Sequence, residues 1–410
     1  MKIKKITQCR VCGSKSLELV VDLGIQELTG VFPKSRTERL TEGPLSLLFC
    51  EACGLLQLAH SYDMDEMYGM NYGYRSGLNR SMVNHLSSKA EMLSKRFDIE
   101  SGDTVLDIGS NDGTLLNSYS TSGLRKVGMD PTGVKFKKHY NDDVELVADF
   151  FSAKKYHNEF SNNAKIVTSI SMFYDLESPV AFAEDVNKVL RDDGVWHFEQ
   201  SYMPSMLRNN SYDTICHEHL EYYSLSTVKF IVESVGMKII DVSLNDINGG
   251  SFAVTAAKKC SSYKANDVLI SWFIKQENKQ SLSTAEPYKA FAERVIESKE
   301  RLLELLHDLK SAGKSIYGYG ASTKGNVILQ YCGITTDLIT AILEVNDDKF
   351  GSFTPKTMIP IISEKEVEEI KPDYLMVLPW HFRNSILTKE TVYLSRGGKL
   401  IFPLPQIEIV

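Results

Sequence analysis

Thr104-Val-Leu-Asp-Ile-Gly-Ser-Asn-Asp-Gly113 sets a five-residue apolar run against a loop bounded by two glycines, and a helical pattern starts at Thr114. Strand, glycine turn and helix in this order open a nucleotide-binding α/β unit. The alternation continues outward from it. Strands are expected at 126–130, 165–170 and 194–199, with helices at 133–140 and 179–190 between them. After Glu199 the chain reads as irregular to Ser224. A helix to about Val235 and two strands at 238–243 and 251–257 follow, joined across Asn248-Gly249-Gly250. The fold class is therefore α/β with a parallel sheet, closed by one antiparallel hairpin.

The loop chemistry narrows the ligand. A dinucleotide site reads G-x-G-x-x-G and leaves a helix N-terminus free for pyrophosphate. Here the spacing is Asp107-x-Gly109-x-x-x-Gly113, and the loop carries Asp112. An acid at that position would repel a pyrophosphate and suits the cationic groups of S-adenosylmethionine. Asp130 ends the second strand, where a carboxylate can accept ribose hydroxyls, and Asp149 with Phe150-Phe151 is placed to meet an adenine. Asn111 and Ser171 complete the candidate cofactor-binding set.

Upstream, two C-x2-C pairs, Cys9/Cys12 and Cys50/Cys53, stand 37 residues apart. Two such knuckles complete the S4 shell that zinc prefers, and with four protein ligands the metal is expected to be structural. A first domain of about 60 to 70 residues is small enough to need such a staple.

The segment after Glu199 should lie over the cofactor, because ligands of open α/β sheets sit at the carboxyl ends of the strands. It contains Tyr202 and then Tyr212-Asp-Thr-Ile-Cys-His-Glu-His-Leu-Glu-Tyr-Tyr223. Cys216, His217, Glu218 and His219 in succession are hard to explain as core, and histidine with carboxylate is the usual composition of a general base and its orienter. A metal site is the competing reading, since in an extended segment His217 and His219 would point the same way, but no distant ligand cluster completes a shell.

Beyond an amphipathic helix at about 285–309, residues 314–319 read as a strand, Gly318-Tyr-Gly-Ala-Ser-Thr-Lys-Gly325 as a second glycine turn, and 323–331 as a helix. Strands at 341–345, 374–378 and 399–402 follow. This turn has no acid and offers Ser322 and Lys324, which suit a phosphate. Pro379-Trp380-His381-Phe382 is a weaker substrate candidate.

The double C-x2-C start, Tyr72-Gly-Tyr74, Val105-Leu-Asp-Ile-Gly-Ser-Asn-Asp-Gly113, His217-Glu-His219, Asn248-Gly-Gly-Ser251 and Tyr317-Gly-Tyr-Gly-Ala-Ser-Thr-Lys-Gly325 together resemble the three-domain sugar C-methyltransferases. The resemblance implies a zinc-binding domain at 1–70, a class I (Rossmann-like) methyltransferase domain at 71–260 and a second Rossmann-like domain at 261–410 that contacts a nucleotide sugar. It also implies methyl transfer from S-adenosylmethionine to a ring carbon, typically C3, of a nucleotide-linked 4-keto-deoxysugar in antibiotic or surface-polysaccharide (lipopolysaccharide, O-antigen) pathways.

In that family the Glu-His pair falls on Glu218 and His219, the histidine removing the proton next to the ketone. Two positions depart from the family pattern: Cys216 stands where a tyrosine is common, and Asp175 where a histidine is common. Both join Glu199, Tyr202, Asn248, Ser322 and Lys324 as candidate substrate-binding residues. The chemistry needs a base near neutral pKa and a donor to the enolate oxygen. His219 fits the base, with Glu218 or His217 orienting it, and Tyr222, Tyr72 or Tyr74 are candidate donors.

Composition is consistent with this reading. The 410 residues are 43% apolar and 24% charged, with a net charge of −7, which excludes a generally basic nucleic-acid binder. The start lacks a signal-peptide core and no apolar run reaches membrane-spanning length, so a cytoplasmic protein is expected, with no membrane and no nucleic-acid partner. No heptad repeat argues for an oligomer, and a monomer is expected. The acceptor nucleotide is expected to be a thymidine or guanosine diphosphate. Three other functions compete at this stage: an O- or N-methyltransferase, a nicotinamide-dependent sugar oxidoreductase, and a zinc docking module.

Overall fold

A computed structural model describes residues 3–63, 67 and 74–410. Seven strands form the central sheet: β1 (Thr104–Ile108), β2 (Arg125–Met129), β3 (Val144–Val147), β4 (Ala164–Ile170), β5 (Leu190–Ser201), β6 (Met237–Asn245) and β7 (Ser251–Lys258). Their spatial order is β3-β2-β1-β4-β5-β7-β6. The first five run parallel, and β7 pairs antiparallel with both β5 and β6. Every residue of β1 is buried, as expected of a strand covered on both faces. The strand order reverses between β1 and β4, and that switch point opens a crevice at the carboxyl ends.

The expected strand edges hold to within a few residues, and two elements are additional. The strand Val144–Val147 has no fully buried residue, and the helix Ala153–Glu159 buries only Ala153 and Tyr156, so neither carries a strong apolar pattern. The stretch expected to be irregular after Glu199 contains the helix Met203–Arg208. The helix expected over 133–140 is one short turn, Gly133–Phe136, that tightens into a 3₁₀ turn.

Ahead of the sheet, the helix Arg80–Arg96 is capped by Asn79, whose side chain accepts from Ser81 N–H. Its buried stripe Met82, Leu86, Ala90 and Leu93 recurs at the three-to-four spacing of an amphipathic helix.

The N-terminal domain is an antiparallel sheet of Leu17–Glu27, Glu42–Cys50 and Leu56–Leu58. Its fourth strand is borrowed. Glu221–Tyr222, immediately after the His-Glu-His stretch, pairs antiparallel with Leu56–Leu58. This register fixes the 216–222 segment against the N-terminal domain.

The C-terminal unit begins with a 26-residue helix, Glu286–Ser311, that buries Tyr288, Phe291, Val295, Leu302 and Leu306. Its six-stranded sheet runs in the order Ile361–Ser363, Ile342–Glu344, Ile316–Tyr319, Tyr374–Val377, Lys399–Phe402, Glu408–Ile409, with only the last strand antiparallel. The N- and C-terminal units share one apolar core, in which Phe49 packs on Tyr288 at 5.0 Å. Among the described residues, no helix is long and apolar enough to cross a membrane.

Candidate active site

The crevice at the switch point encloses about 370 Å³, lined from the loops after β1, β2 and β4. Gly109 has φ +75°, and a Cβ there would stand 3.0 Å from Met172 Cγ, so only glycine lets the loop follow the pocket wall. Asp107 lines the pocket and accepts a 2.6 Å hydrogen bond from Thr168 Oγ1. Burial pushes its carboxyl up to about 7. Asp130 Oδ2 accepts the Asn111 N–H at 2.8 Å, and its Oδ1 accepts both the N–H and the hydroxyl of Thr132 at 2.6 Å.

Phe150 and Phe151 form an apolar wall, with Phe151 edge-on to Phe182 at 5.4 Å. Ser171 lines the pocket at φ +55° and donates its N–H to Glu199 O at 2.7 Å. Carboxylates beside an aromatic wall suit the cation and adenine of S-adenosylmethionine. Asp175 and Glu177 add two more carboxylates to that lining.

Several sequence-derived assignments are corrected. Asp112 does not face the pocket: it accepts the Gly77 N–H at 2.9 Å and the Thr114 hydroxyl at 2.6 Å, and pairs with Arg75 at 3.6 Å. Its charge closes the 75–78 segment over the loop, and the lining acids take the place argued for it. Gly113 packs under Tyr140, to which a Cβ would come within 2.8 Å. Asp149 lies on the surface, 2.7 Å from Lys155, which lowers its pKa.

Glu199 is wholly buried and bonded to His85 and Lys89, each at 2.6 Å, and to Asn245 at 2.9 Å. It ties the helix Arg80–Arg96, whose Met82 and Leu86 line the pocket, to the sheet. Tyr202 donates to Glu277 at 2.7 Å inside the core and reaches no ligand. Asn111 anchors the 74–76 segment through Ser76 N–H and Tyr74 O. Tyr74 is a rim residue of the pocket, 48% exposed. Tyr72 lies outside the described residues.

The four N-terminal cysteines meet. Cys9 Sγ to Cys53 Sγ and Cys12 Sγ to Cys50 Sγ are each 3.6 Å, and all four sulfurs lie within 4.8 Å of one another. A tetrahedron of zinc–sulfur bonds of about 2.3 Å has sulfur–sulfur edges of about 3.8 Å, so the donor set fits zinc. The two knuckles are built alike: Gly13 N–H donates to Cys9 O, and Gly54 N–H to Cys50 O. Both glycines have φ above +70°.

Arg10, inside the first knuckle, was not singled out from sequence. It donates to Leu58 O at 2.6 Å and to Ser61 Oγ at 3.0 Å, and stands 3.7 Å from buried Glu221 and 3.5 Å from Glu177.

The 212–220 segment is a tight turn, not an extended strand: His219 N–H donates back to Cys216 O at 3.2 Å. The two histidines therefore diverge. His217 is buried against the N-terminal domain, edge-on to Tyr62 at 4.6 Å, and takes no position beside His219. Cys216 and Tyr222 are buried as well, 1% and 5% exposed, with Cys216 packed beside Glu218 and neither on the surface of the crevice.

Glu218 and His219 stay partly exposed. Glu218 reaches the N-terminal domain at Thr29 Oγ1, 3.5 Å away. His219 Nδ1 is 2.8 Å from Thr214 O, and the ring lies edge-on to Tyr174 at 4.4 Å. A carbonyl can only accept, so Nδ1 carries the proton and Nε2 keeps its lone pair. Burial, with Lys324 adding to it, brings the imidazole down to about 4.

The second glycine turn arrives at the same place. A Cβ on Gly30 would be 2.3 Å from Glu218 Oε1 and 3.6 Å from Thr323 Oγ1, so the three domains converge there. Ser322 Oγ accepts the Gly325 N–H at 3.0 Å and caps its own helix, Thr323–Cys332. Lys324 Nζ donates to Asn248 O at 2.8 Å, and Asn248 Nδ2 donates to Ser171 Oγ at 3.3 Å. Lys324, Asn248 and the cofactor pocket are thus joined by two hydrogen bonds.

Three successive stretches match known families: residues 9–68 a zinc binding domain, 78–242 a methyltransferase domain, and 246–405 a C-methyltransferase C-terminal domain. The chain is 29% identical to the C-methyltransferase NovU of Streptomyces niveus over 412 residues, covering 100% of this chain and 98% of that protein. Among solved structures, the plantazolicin methyltransferase BpumL bound to S-adenosylhomocysteine aligns with a TM-score of 0.37 at 13% identity, over 44% of this chain and 87% of that one. A methyltransferase from Clostridium acetobutylicum aligns at 0.34 and 11%, over 43% and 92%.

Proposed function

We propose that this S-adenosylmethionine-dependent C-methyltransferase with an N-terminal zinc-binding domain acts on a nucleotide-linked 4-keto-deoxysugar and methylates it at C3. The single observation that carries this reading is the Nδ1–H of His219 held on Thr214 O, which leaves Nε2 as a neutral base in a cleft shared by three domains.

A ring C–H becomes nucleophilic only when a neighbouring ketone takes up the charge of the departing proton. Nε2 of His219 removes that proton, and Glu218 beside it is the group to position the sugar or its hydroxyls. Bound S-adenosylmethionine supplies an electrophilic methyl group. Asp107 and Asp130 would hold the cofactor, and the turn 173–175, whose Tyr174 touches His219 and whose Asp175 lines the pocket, links the base to the cofactor pocket. The leaving thioether is neutral and needs no acid.

On this reading the nucleotide, a thymidine or guanosine diphosphate, falls to the C-terminal unit, whose second glycine turn reaches Glu218 at Gly30. Nucleotide-sugar chemistry, and a zinc shell of reduced thiolates, fit a cytoplasmic enzyme of deoxysugar biosynthesis.

The test is incubation of the zinc-loaded enzyme with S-adenosylmethionine and thymidine- or guanosine-diphosphate 4-keto-6-deoxyhexoses. A product heavier by one methylene, with its new methyl on C3 by NMR, is expected from one of the two. A methyl on oxygen, or no product from either sugar nucleotide while S-adenosylhomocysteine still binds, would overturn the acceptor assignment.

A further inference from the structure

If the acceptor is a ketone, as proposed above, its oxygen must become an oxyanion, and the three tyrosines named from sequence do not supply an observed donor. Tyr222 is buried in the core, Tyr74 sits at the rim of the cofactor pocket, and Tyr72 is outside the described residues. Ser322 Oγ is occupied by the backbone of its own helix. The cation whose charge reaches His219 is Lys324.

Its placement is set by one hydrogen bond of its own and by what its neighbours meet. Nζ donates to Asn248 O at 2.8 Å, which leaves two further N–H donors on the ammonium. Asn248 is hydrogen-bonded to Ser171 of the cofactor pocket. The adjacent Thr323 and Glu218 both lie against Gly30, their oxygens 3.6 and 2.3 Å from where a Cβ there would stand. Lys324 is therefore held between the cofactor pocket and the Glu218-His219 pair.

The charged and titratable groups that interact with it are Asp213, His219, His381 and Cys216. Asp213 is fully buried and accepts the Trp380 indole N–H at 2.8 Å, and its neighbour Thr214 holds His219. One turn thus carries both the counter-charge of the lysine and the anchor of the base. A diphosphate is a poor occupant beside the ammonium: it would bring about two negative charges next to the Asp213 carboxylate, and the other lysine at this turn, Lys349, is engaged by Ala321 O at 2.7 Å and Glu344 at 3.8 Å. One transient negative charge on a ketone oxygen is the better match.

We propose that Lys324 is a catalytic residue of the carbon methylation: its ammonium hydrogen-bonds to the ketone oxygen of the acceptor sugar and holds the charge that develops there when His219 removes the neighbouring proton. The electrons balance in two steps. The C–H pair becomes the C=C bond of the enolate as the carbonyl pair moves to oxygen, and the proton goes to His219 Nε2. The enolate pair then forms the C–CH3 bond as the S–CH3 pair returns to sulfur, and the carbonyl is restored. Lys324 stays protonated throughout.

Proton removal can be read without methyl transfer. The enzyme is placed in deuterated water with S-adenosylhomocysteine and the 4-keto-6-deoxyhexose nucleotide, and loss of the C3–H signal is followed by NMR. Wild type, Lys324→Met, Lys324→Gln and Lys324→Arg are compared at saturating sugar nucleotide, with S-adenosylhomocysteine and the free nucleoside diphosphate titrated calorimetrically as controls.

The expected result is an exchange rate lowered about 100-fold or more in the Met and Gln variants, the loss typical of removing one oxyanion donor. Arg should recover at least about a tenth of the wild-type rate, and both affinities should stay within about threefold. Exchange within about threefold of wild type in Met and Gln overturns the proposal. So does a large loss of nucleoside diphosphate affinity with exchange restored at saturation, which would make Lys324 a phosphate anchor. Wild type that binds both ligands yet exchanges no proton would instead refute the ketone acceptor itself.

Discussion

Replacing Glu199 by Gln tests whether the wall of the cofactor pocket is held by a buried charge. The carboxylate has no exposed surface and is met by His85 and Lys89 at 2.6 Å and by Asn245 at 2.9 Å. Burial alone would raise its pKa; His85 and Lys89 more than offset this and hold it at about 2 instead of 4.5. At about 1.4 kcal/mol per tenfold, the difference amounts to about 3 kcal/mol at neutral pH.

The direction follows from the depressed value. The contribution is complete above about pH 4.5 and is lost as the pH falls towards about 2. A loss of about 3 kcal/mol also matches what breaking one partner of a buried pair does, because Lys89 is left without its carboxylate. Glu199→Gln should therefore reduce the urea-unfolding free energy by about 3 kcal/mol at pH 7. The gap to wild type should narrow on acidification, and S-adenosylhomocysteine affinity should fall because Met82 and Leu86 sit on the loosened helix. Adding Lys89→Met should recover part of the loss. A variant within about 1 kcal/mol of wild type at pH 7, or a gap indifferent to pH, would refute the reasoning.

Other perturbations probe the cleft and the metal. Because His219 titrates at about 4, its free base persists through neutrality. The acid limb of the proton-exchange rate should fall near pH 4, and a limb near 6.5 would contradict the assigned environment. His219→Asn should lower exchange by about 100-fold or more while leaving S-adenosylhomocysteine affinity unchanged in calorimetry. Gly30→Ala puts a Cβ 2.3 Å from Glu218 Oε1; overpacking of about 1–3 kcal/mol should appear in the melting temperature, with methylation reduced about tenfold or more. Elemental analysis should find one zinc per chain, and Cys50→Ser or chelation should lower the melting temperature and methylation together.

The sheet was legible because its strands are short apolar runs stopped by glycine: Thr104–Ile108 ends at Gly109, and the hairpin of β6 and β7 turns on Gly249 and Gly250. The half-exposed strand Val144–Val147 and the short helix Ala153–Glu159 carry too little apolar periodicity to be seen. The zinc ligands were equally visible, because C-x2-C is a local geometry.

The residues misplaced from sequence are those whose partners come from afar. Glu199 meets His85, Tyr202 meets Glu277, and Asp112 meets Gly77 and Arg75, and nothing near them in the chain announces those contacts. His217 and His219 diverge because the segment turns, with Thr214 O as the anchor of His219. A backbone carbonyl has no signature in a sequence.

The division of the cleft among three stretches of chain has a consequence for synthesis on the ribosome. The sheet that forms the cofactor crevice ends with the strand Ser251–Lys258, whereas Lys324 follows its last residue by 66 positions. At about 5–20 residues per second, the growing chain passes several seconds with every strand of the cofactor sheet made but without the lysine. On the assignment made here, a chain that ends before Lys324 lacks the group that holds the enolate charge. On the same assignment, full stabilisation of the carbanion waits until the last domain has joined the first two.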